Sequence, residues 1–159
     1  MKNIRIGYGY DMHKLCSGEY IILGGKKIIS DYSIVAHSDG DIILHALSDA
    51  IYGSLANGDI GTHFPSNKNN LNIESLEIIK HATNLLNQSN YQINNIDVTV
   101  LLEKPFLQPH IPSIRETLSD VLSLDISKIS IKSSTSQKIG IVGESRAIIC
   151  YAAILISNE

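Results

Sequence analysis

The stretch His37-Ser-Asp-Gly-Asp-Ile-Ile-Leu-His-Ala-Leu-Ser-Asp49 constrains this chain more than any other. It opens as a polar loop and passes into a helix over about residues 39–56, with Asp39 as the N-cap and Asp41 in the first turn. At about 100° per residue, Ile43, Ala46, Leu47 and Ala50 share one face. Asp41, His45, Ser48, Asp49 and Tyr52 lie on the opposite one. Asp41, His45 and Asp49 are spaced by four, so they form a stripe with neighbours about 6 Å apart. A histidine flanked by carboxylates suits a metal ligand, because a carboxylate can take its second ring N–H and fix the tautomer. The same pattern also fits a solvated polar face on an amphipathic helix.

The segments on either side read as alternating strands and helices. Ile4 to His13 is a strand whose two glycines, Gly7 and Gly9, mark close backbone approach. Its side chains alternate, so Asp11 and His13 point the same way, about 7 Å apart. Tyr20 to Ile29 is a hairpin with a Gly24-Gly25 turn. After the helix come the breaker run Asn57 to Gly61 and a polar, turn-rich loop over 63–72. A second helix spans roughly 73–89, and a strand over about 91–102 places Ile96, Val98 and Val100 on one face. A proline loop leads to a helix from Ile111 to Leu122, with Pro112 in its first turn. Ile129 starts a strand that enters the hydroxyl-rich run Ser133-Ser-Thr-Ser136, and the apolar run Ala147 to Ile156 reads as a last strand. With no repeat and no linker, residues 1–159 form one α+β domain with a sheet of four or five strands and three helices.

Composition excludes several classes. The 159 residues are 43% hydrophobic and 18% charged, ordinary for one globular domain. A net charge of −3 leaves no footprint for nucleic acid. Cys16 and Cys150 are too few for a disulfide framework and read as thiols in a reducing compartment. No apolar run reaches membrane-spanning length, so the expectation is a soluble, cytoplasmic protein, or one of an organelle stroma if a transit peptide has been removed.

For chemistry, Asp11 and His13 offer two ligand atoms from one strand face, and His45 offers a third from the helix. One aspartate and two histidines with a fourth position open is the composition of a catalytic zinc site. The bland alternative is chance spacing with a satisfied core histidine. His110 reads as a helix-start residue, and His63 and His81 as surface residues. Neither a nucleophile elbow nor a P-loop occurs.

Six motifs, in order along nearly the whole chain, carry a resemblance. Ile6-Gly-Tyr-Gly-Tyr-Asp-Met-His13, Ala36-His-Ser-Asp-Gly-Asp41, Leu44-His-Ala-Leu-Ser-Asp49, Gly58-Asp-Ile-Gly61, Phe64-Pro65 and Pro109-His-Ile-Pro112 resemble the 2-C-methyl-D-erythritol 2,4-cyclodiphosphate synthases of the non-mevalonate isoprenoid pathway. The resemblance implies a mixed sheet with helices on one face, and a homotrimer with its sheets facing the threefold axis and active sites between subunits. It implies closure of 4-diphosphocytidyl-2-C-methyl-D-erythritol 2-phosphate to the cyclic diphosphate with release of CMP. The implied zinc ligands are Asp11, His13 and His45, and a second divalent cation, magnesium or manganese, would involve Gln137. His37 and Thr135 fall on transition-state stabilisers, and Ser38 and Asp49 on contacts to the phosphate and erythritol part. Asp59, Ile60 and Gly61 match a ribose-contacting turn, with Phe64 close after it. Leu102, Glu103, Lys104, Pro105, Phe106, Leu107 and Gln108 match the cytosine loop, and Ser134 and Ser136 flank Thr135 in the diphosphate loop.

The chain departs from the pattern at four places. Phe106 replaces a lysine, Gln137 replaces a metal-binding glutamate, and Ser66-Asn-Lys-Asn replaces an expected aspartate. In Gly143-Glu-Ser-Arg-Ala147 two charges near the threefold axis have exchanged places; in an extended segment Glu144 and Arg146 would point to one side. Two other classes remain: a zinc phosphohydrolase giving linear products, and a non-enzymatic trimeric binder, for which the intact triad is unfavourable.

Overall fold

The structure, a computed structural model, describes residues 3–65 and 73–158. The departure at 66–69 and most of the predicted 63–72 loop lie outside the described residues. A five-stranded mixed sheet has the order β4-β1-β7-β5-β6, where β1 is Ile4–Ser17, β4 Tyr32–Val35, β5 Gln92–Leu101, β6 Ile129–Ser134 and β7 Ala147–Ser157. Only the β5–β6 pair is parallel; the other neighbours are antiparallel. The predicted hairpin is present as β2 (Tyr20–Leu23) and β3 (Lys26–Ile29), with Gly24 and Gly25 both at positive φ in its turn. Strand β4 and the extension of β1 to Ser17, which pairs with it, were not predicted. No described helix is long and apolar enough to cross a membrane.

Helix α1 (Ile42–Ser54) lies directly on β1, and the two strand glycines explain how. A Cβ at Gly7 would stand 1.8 Å from the Ala50 carbonyl oxygen, and one at Gly9 1.8 Å from that of Ala46. The helix therefore sits closer than a strand with side chains at these positions would allow. Behind it, α3 (Ser75–Gln88) packs on α1, and α4 (Ile111–Leu122), matching its predicted bounds, packs on β6. Two short turns of helix, α2 (Ile60–His63) and α5 (Gly140–Gly143), complete the chain.

Of the two readings of the polar stripe on α1, the solvated face is not what the structure shows. Ile42 through Ser48, Ala50 to Tyr52 and Ser54 are all buried. The polar groups are satisfied inside: Ser48 Oγ donates to the Leu44 carbonyl at 2.7 Å, and the Tyr52 hydroxyl lies 2.9 Å from His81 Nδ1. His63 stacks on Tyr52 with ring centroids 4.3 Å apart, so His63 and His81 form an aromatic cluster instead of standing free on the surface. The N-cap is Asp41, not Asp39, because Gly40 at φ +75° stops the helix from starting earlier.

Asp41 ties three elements together. Its carboxylate accepts from Ile43 and Leu44 N–H of α1, and from Gly24 and Gly25 N–H of the hairpin turn at 2.8 and 2.6 Å. Asp41→Ala would leave these donors buried without an acceptor and should cost about 3–5 kcal/mol in urea unfolding. Burial raises the Asp41 carboxyl from 3.8 to about 6, with the Gly25, Gly24 and Leu44 N–H groups acting against it. An acid whose folded pKa exceeds its unfolded one contributes most below the unfolded value, and that contribution is lost as pH rises through the folded value. Stability should therefore fall from this source between about pH 4 and pH 6, and Asp41→Asn should flatten that slope. An unchanged slope in the variant counts against this account.

The other sheet face is open and apolar. Ile4, Ile6, Tyr8, Tyr10 and Met12 alternate along it, with Ile6 73% and Tyr8 63% exposed. Tyr151 of β7 joins them, its ring 5.3 Å from that of Tyr10. Glu144 and Arg146 pair within the chain at 2.7 Å. They do so from a turn with Ser145 at φ +55°, not from the extended segment predicted.

Candidate active site

Alternation along β1 aims Asp11 and His13 at the helix layer, and α1 brings His45 to the same point. Asp11 Oδ2 lies 2.9 Å from His45 Nδ1 and 3.1 Å from His13 Nε2. The two ring nitrogens are 3.2 Å apart. Tetrahedral zinc with bonds near 2.0–2.1 Å holds its ligand atoms about 3.3 Å apart, so the three atoms already stand near the required triangle. Among the described residues this is the only group of three or more His, Cys, Asp or Glu side chains that converges in this way. Burial pushes the Asp11 carboxyl up, but hydrogen bonds and charge from His13 and His45 outweigh it and hold the group well below the usual carboxylate range.

The stripe read from spacing separates in three dimensions. Asp41 serves the hairpin turn and the helix start, and does not support His45. His45 Nε2 instead lies 3.2 Å from Ser38 Oγ and 2.9 Å from Ser75 Oγ. Asp49 accepts the Ile60 N–H at 2.8 Å and so fastens the start of α2 to α1. Its carboxyl is raised, first by burial, with the Ile60 N–H opposing. Asp59 caps α2 through the Thr62 N–H and hydroxyl, both at 2.8 Å. Gly61 is exposed, and a Cβ there would make only an ordinary 3.5 Å contact, so packing within the chain does not require glycine. Phe64 ends α2, its ring edge-on to His81 at 5.2 Å. His37 is exposed on the loop before α1.

The remaining predicted residues form a second cluster. The Leu102 N–H donates to the Ser134 carbonyl at 3.0 Å. Glu103 accepts from Ser136 N–H at 2.8 Å and from Ser136 Oγ and Lys138 N–H, both at 3.3 Å, so it locks the two loops into one unit. Leu102 and Leu107 are buried in the core and can offer a ligand only their backbone. Lys104 precedes the cis-proline Pro105, Phe106 is exposed, and Gln108 opens a single turn of helix. A recess of about 470 Å³ lies between residues 29–31 and 103–106. Thr135 is exposed, with the Gln137 amide 3.4 Å from its hydroxyl.

Both clusters occupy one end of the sheet. Asp11 and Val100 flank the same β7 residue, Cys150, and Leu101 pairs with Ser134. At strand spacing of about 4.8 Å, β1 and β5 are separated by roughly 10 Å and β1 and β6 by roughly 14 Å. Sequence reasoning missed Ser75 and the clamping role of Glu103. Neither leaves a local signal, since their partners lie 30 or more positions away.

An α+β domain with an Asp-His-His group that could hold a metal ion at the end of its sheet is the class these features define. The chain belongs to the YgbB family, which it matches over residues 4–157. It is 40% identical to 2-C-methyl-D-erythritol 2,4-cyclodiphosphate synthase of Fusobacterium nucleatum, with 98% of each chain aligned. It is 39% identical to the synthase of Xanthomonas axonopodis pv. citri over 98% of this chain and 95% of that one. Among solved structures, the CDP complex of IspF from Plasmodium falciparum superposes with a TM-score of 0.89 at 39% identity, covering 99% and 97% of the two chains. The bifunctional IspDF of Campylobacter jejuni gives 0.95 at 28% identity, covering all of this chain and 43% of that one.

Proposed function

We propose that this chain is an enzyme that closes 4-diphosphocytidyl-2-C-methyl-D-erythritol 2-phosphate to 2-C-methyl-D-erythritol 2,4-cyclodiphosphate and releases CMP, the cyclising step of isoprenoid biosynthesis. The observation that carries the reading is the preformed Asp11-His13-His45 triangle in a chain whose relatives, aligned end to end, are synthases of this name. An oxygen of the 2-phosphate attacks the β-phosphorus, the bond to the bridging oxygen breaks, and CMP departs with the α-phosphate. The nucleophile is already anionic, so no side chain need remove a proton; the protein's tasks are positioning and charge neutralisation.

Two imidazoles and a carboxylate suit zinc, which with a fourth position free supplies a Lewis acid for a phosphate oxygen. Ser38 and Asp49 orient the erythritol end, and the α2 turn from Asp59 to Gly61 receives the ribose, where an exposed glycine lets backbone approach the sugar. Phe64 adds an apolar contact beside that turn. His37 and Thr135 donate to oxygens whose charge grows during transfer. Residues 102–108 take the cytosine, and residues 134–136 the diphosphate. Gln137 offers a neutral oxygen to a second divalent cation, magnesium or manganese, a weaker ligand than the glutamate it replaces.

The working unit in this reading is a homotrimer. The exposed apolar row Ile4, Ile6, Tyr8, Tyr10 and Met12 provides a contiguous face for neighbouring copies. The nucleotide loops of one subunit then complete the metal site of the next. The enzyme works in the cytoplasm, or in an organelle stroma after removal of a transit peptide. Incubation with the cytidylyl substrate, zinc and magnesium, followed by phosphorus NMR, should show the cyclic diphosphate and CMP in equal amounts. Linear phosphates would indicate a hydrolase instead, and no turnover a binding protein.

A further inference from the structure

The imidazole of His45 is engaged at both nitrogens, and the two sides make different demands. Nδ1 faces Asp11 Oδ2 and His13 Nε2 at 2.9 and 3.2 Å. A neutral ring carries one proton. For Nδ1 to present a lone pair to a metal ion, that proton must sit on Nε2 against the pull of the acceptor-only Asp11 carboxylate, and Nε2–H then needs an acceptor of its own.

Ser75 Oγ, 2.9 Å from Nε2 and fully buried, can accept only if its own proton is engaged elsewhere. It is: the hydroxyl makes a short hydrogen bond to Asp39 Oδ1, while the Ser75 N–H donates to Asp39 Oδ2 at 3.1 Å. An ionised carboxylate is acceptor-only, so it sets the direction of the whole chain. Ser75 O–H donates to Asp39, and Nε2–H donates to Ser75. Ser38 Oγ is the longer contact at 3.2 Å and already accepts the Gly40 N–H at 3.1 Å.

We propose that Asp39 and Ser75 are positioning residues that favour the Nε2–H tautomer of His45 against the pull of Asp11 at Nδ1, and thereby set the affinity of the Asp11-His13-His45 group for its metal ion. The inference rests on the reading of that group as a metal site. A purely structural role is the competing account. Ser75 begins α3, Glu74 makes no side-chain cap, and Asp39 closes that helix end from 36 positions away. Capping alone predicts lost stability and nothing at the ring.

The two accounts separate in the metal-free protein. Long-range proton–nitrogen correlation on the ¹⁵N-labelled chain, at mildly alkaline pH, reads how the His45 proton divides between Nδ1, drawn by Asp11 Oδ2, and Nε2, drawn by Ser75 Oγ, and the parent should show a measurable Nε2–H fraction. In Ser75→Ala only the longer Ser38 contact at 3.2 Å remains at Nε2, and the balance should move toward Nδ1–H. Asp39→Ala gives a sharper result: Ser75 keeps its hydroxyl but is free to donate to Nε2, which drives the proton onto Nδ1. Zinc dissociation constants from chelator competition should rise about 10–100-fold in both variants, and Ser75→Thr, which retains the hydroxyl, should stay within a few-fold of the parent. A tautomer balance that is the same in the parent and the folded variants, or zinc affinity unchanged in them, overturns the proposal. If Ser75→Ala does not fold, Asp39→Ala and the parent tautomer decide. A parent protein that takes up no zinc overturns the metal-site reading itself, and that titration precedes any variant.

Discussion

His45→Ala should lose its zinc and release CMP only at background rate, while its far-ultraviolet circular dichroism stays that of the parent. Two remaining ligands, Asp11 and His13, are too few for a site that must keep a position open for substrate. Position 45 lies inside a largely buried helix, where Ile42, Ile43, Leu44, Leu47 and Ile51 still hold the packing. Alanine is the best helix former, so the backbone has no reason to leave its conformation. Atomic absorption on the purified variant gives the metal content, and chromatography of CMP the activity. Full zinc with normal CMP release would show that His45 is not a ligand.

Gly9→Ala, like Gly7→Ala, should be among the most damaging small substitutions at the described glycines. Its Cβ would stand 1.8 Å from the Ala46 carbonyl oxygen and 2.8 Å from the carbonyl carbon, and backbone cannot turn aside as a side chain does. Helix α1 would have to lift off β1, at a cost of about 3 kcal/mol or more. The consequence for function is specific. Asp11 and His13 ride on the strand and His45 on the helix, so a lift of about 1 Å, the scale on which such sites fail, opens the ligand triangle. Any fraction that folds should bind zinc more weakly. Gly53→Ala is the control, since nothing lies within 4 Å of a Cβ there and the helix should gain about 0.5 kcal/mol. Equal urea midpoints for the two variants would refute the close-packing argument.

Features set by neighbours in the chain were legible without a structure. The Gly24-Gly25 hairpin, the bounds of α4, the buried face of β5 and the shared direction of Asp11 and His13 all follow from turn chemistry and side-chain period. The resemblance at the six motifs assigned the family for the same reason: each motif is a short contiguous run. Apart from the meeting of His45 with Asp11 and His13, the inferences about which groups partner one another at a distance failed. Helix periodicity put Asp41, Ser48 and Tyr52 on the face opposite the apolar one, where a solvated surface was one of two readings, yet each finds its hydrogen bonds inside the protein, in the hairpin turn, the helix's own carbonyl or His81. Asp39 was read as the cap of α1, and in the folded chain it closes α3 and holds Ser75. Amphipathic pattern reports how polar a side chain is, but burial depends on whether a partner arrives. For His45 those partners come from β1, from the loop before α1 and from the first residue of α3. Only the packing of a strand, a loop and a helix onto α1 brings them within hydrogen-bond distance, and that meeting decides which nitrogen of the ring faces Asp11 and His13.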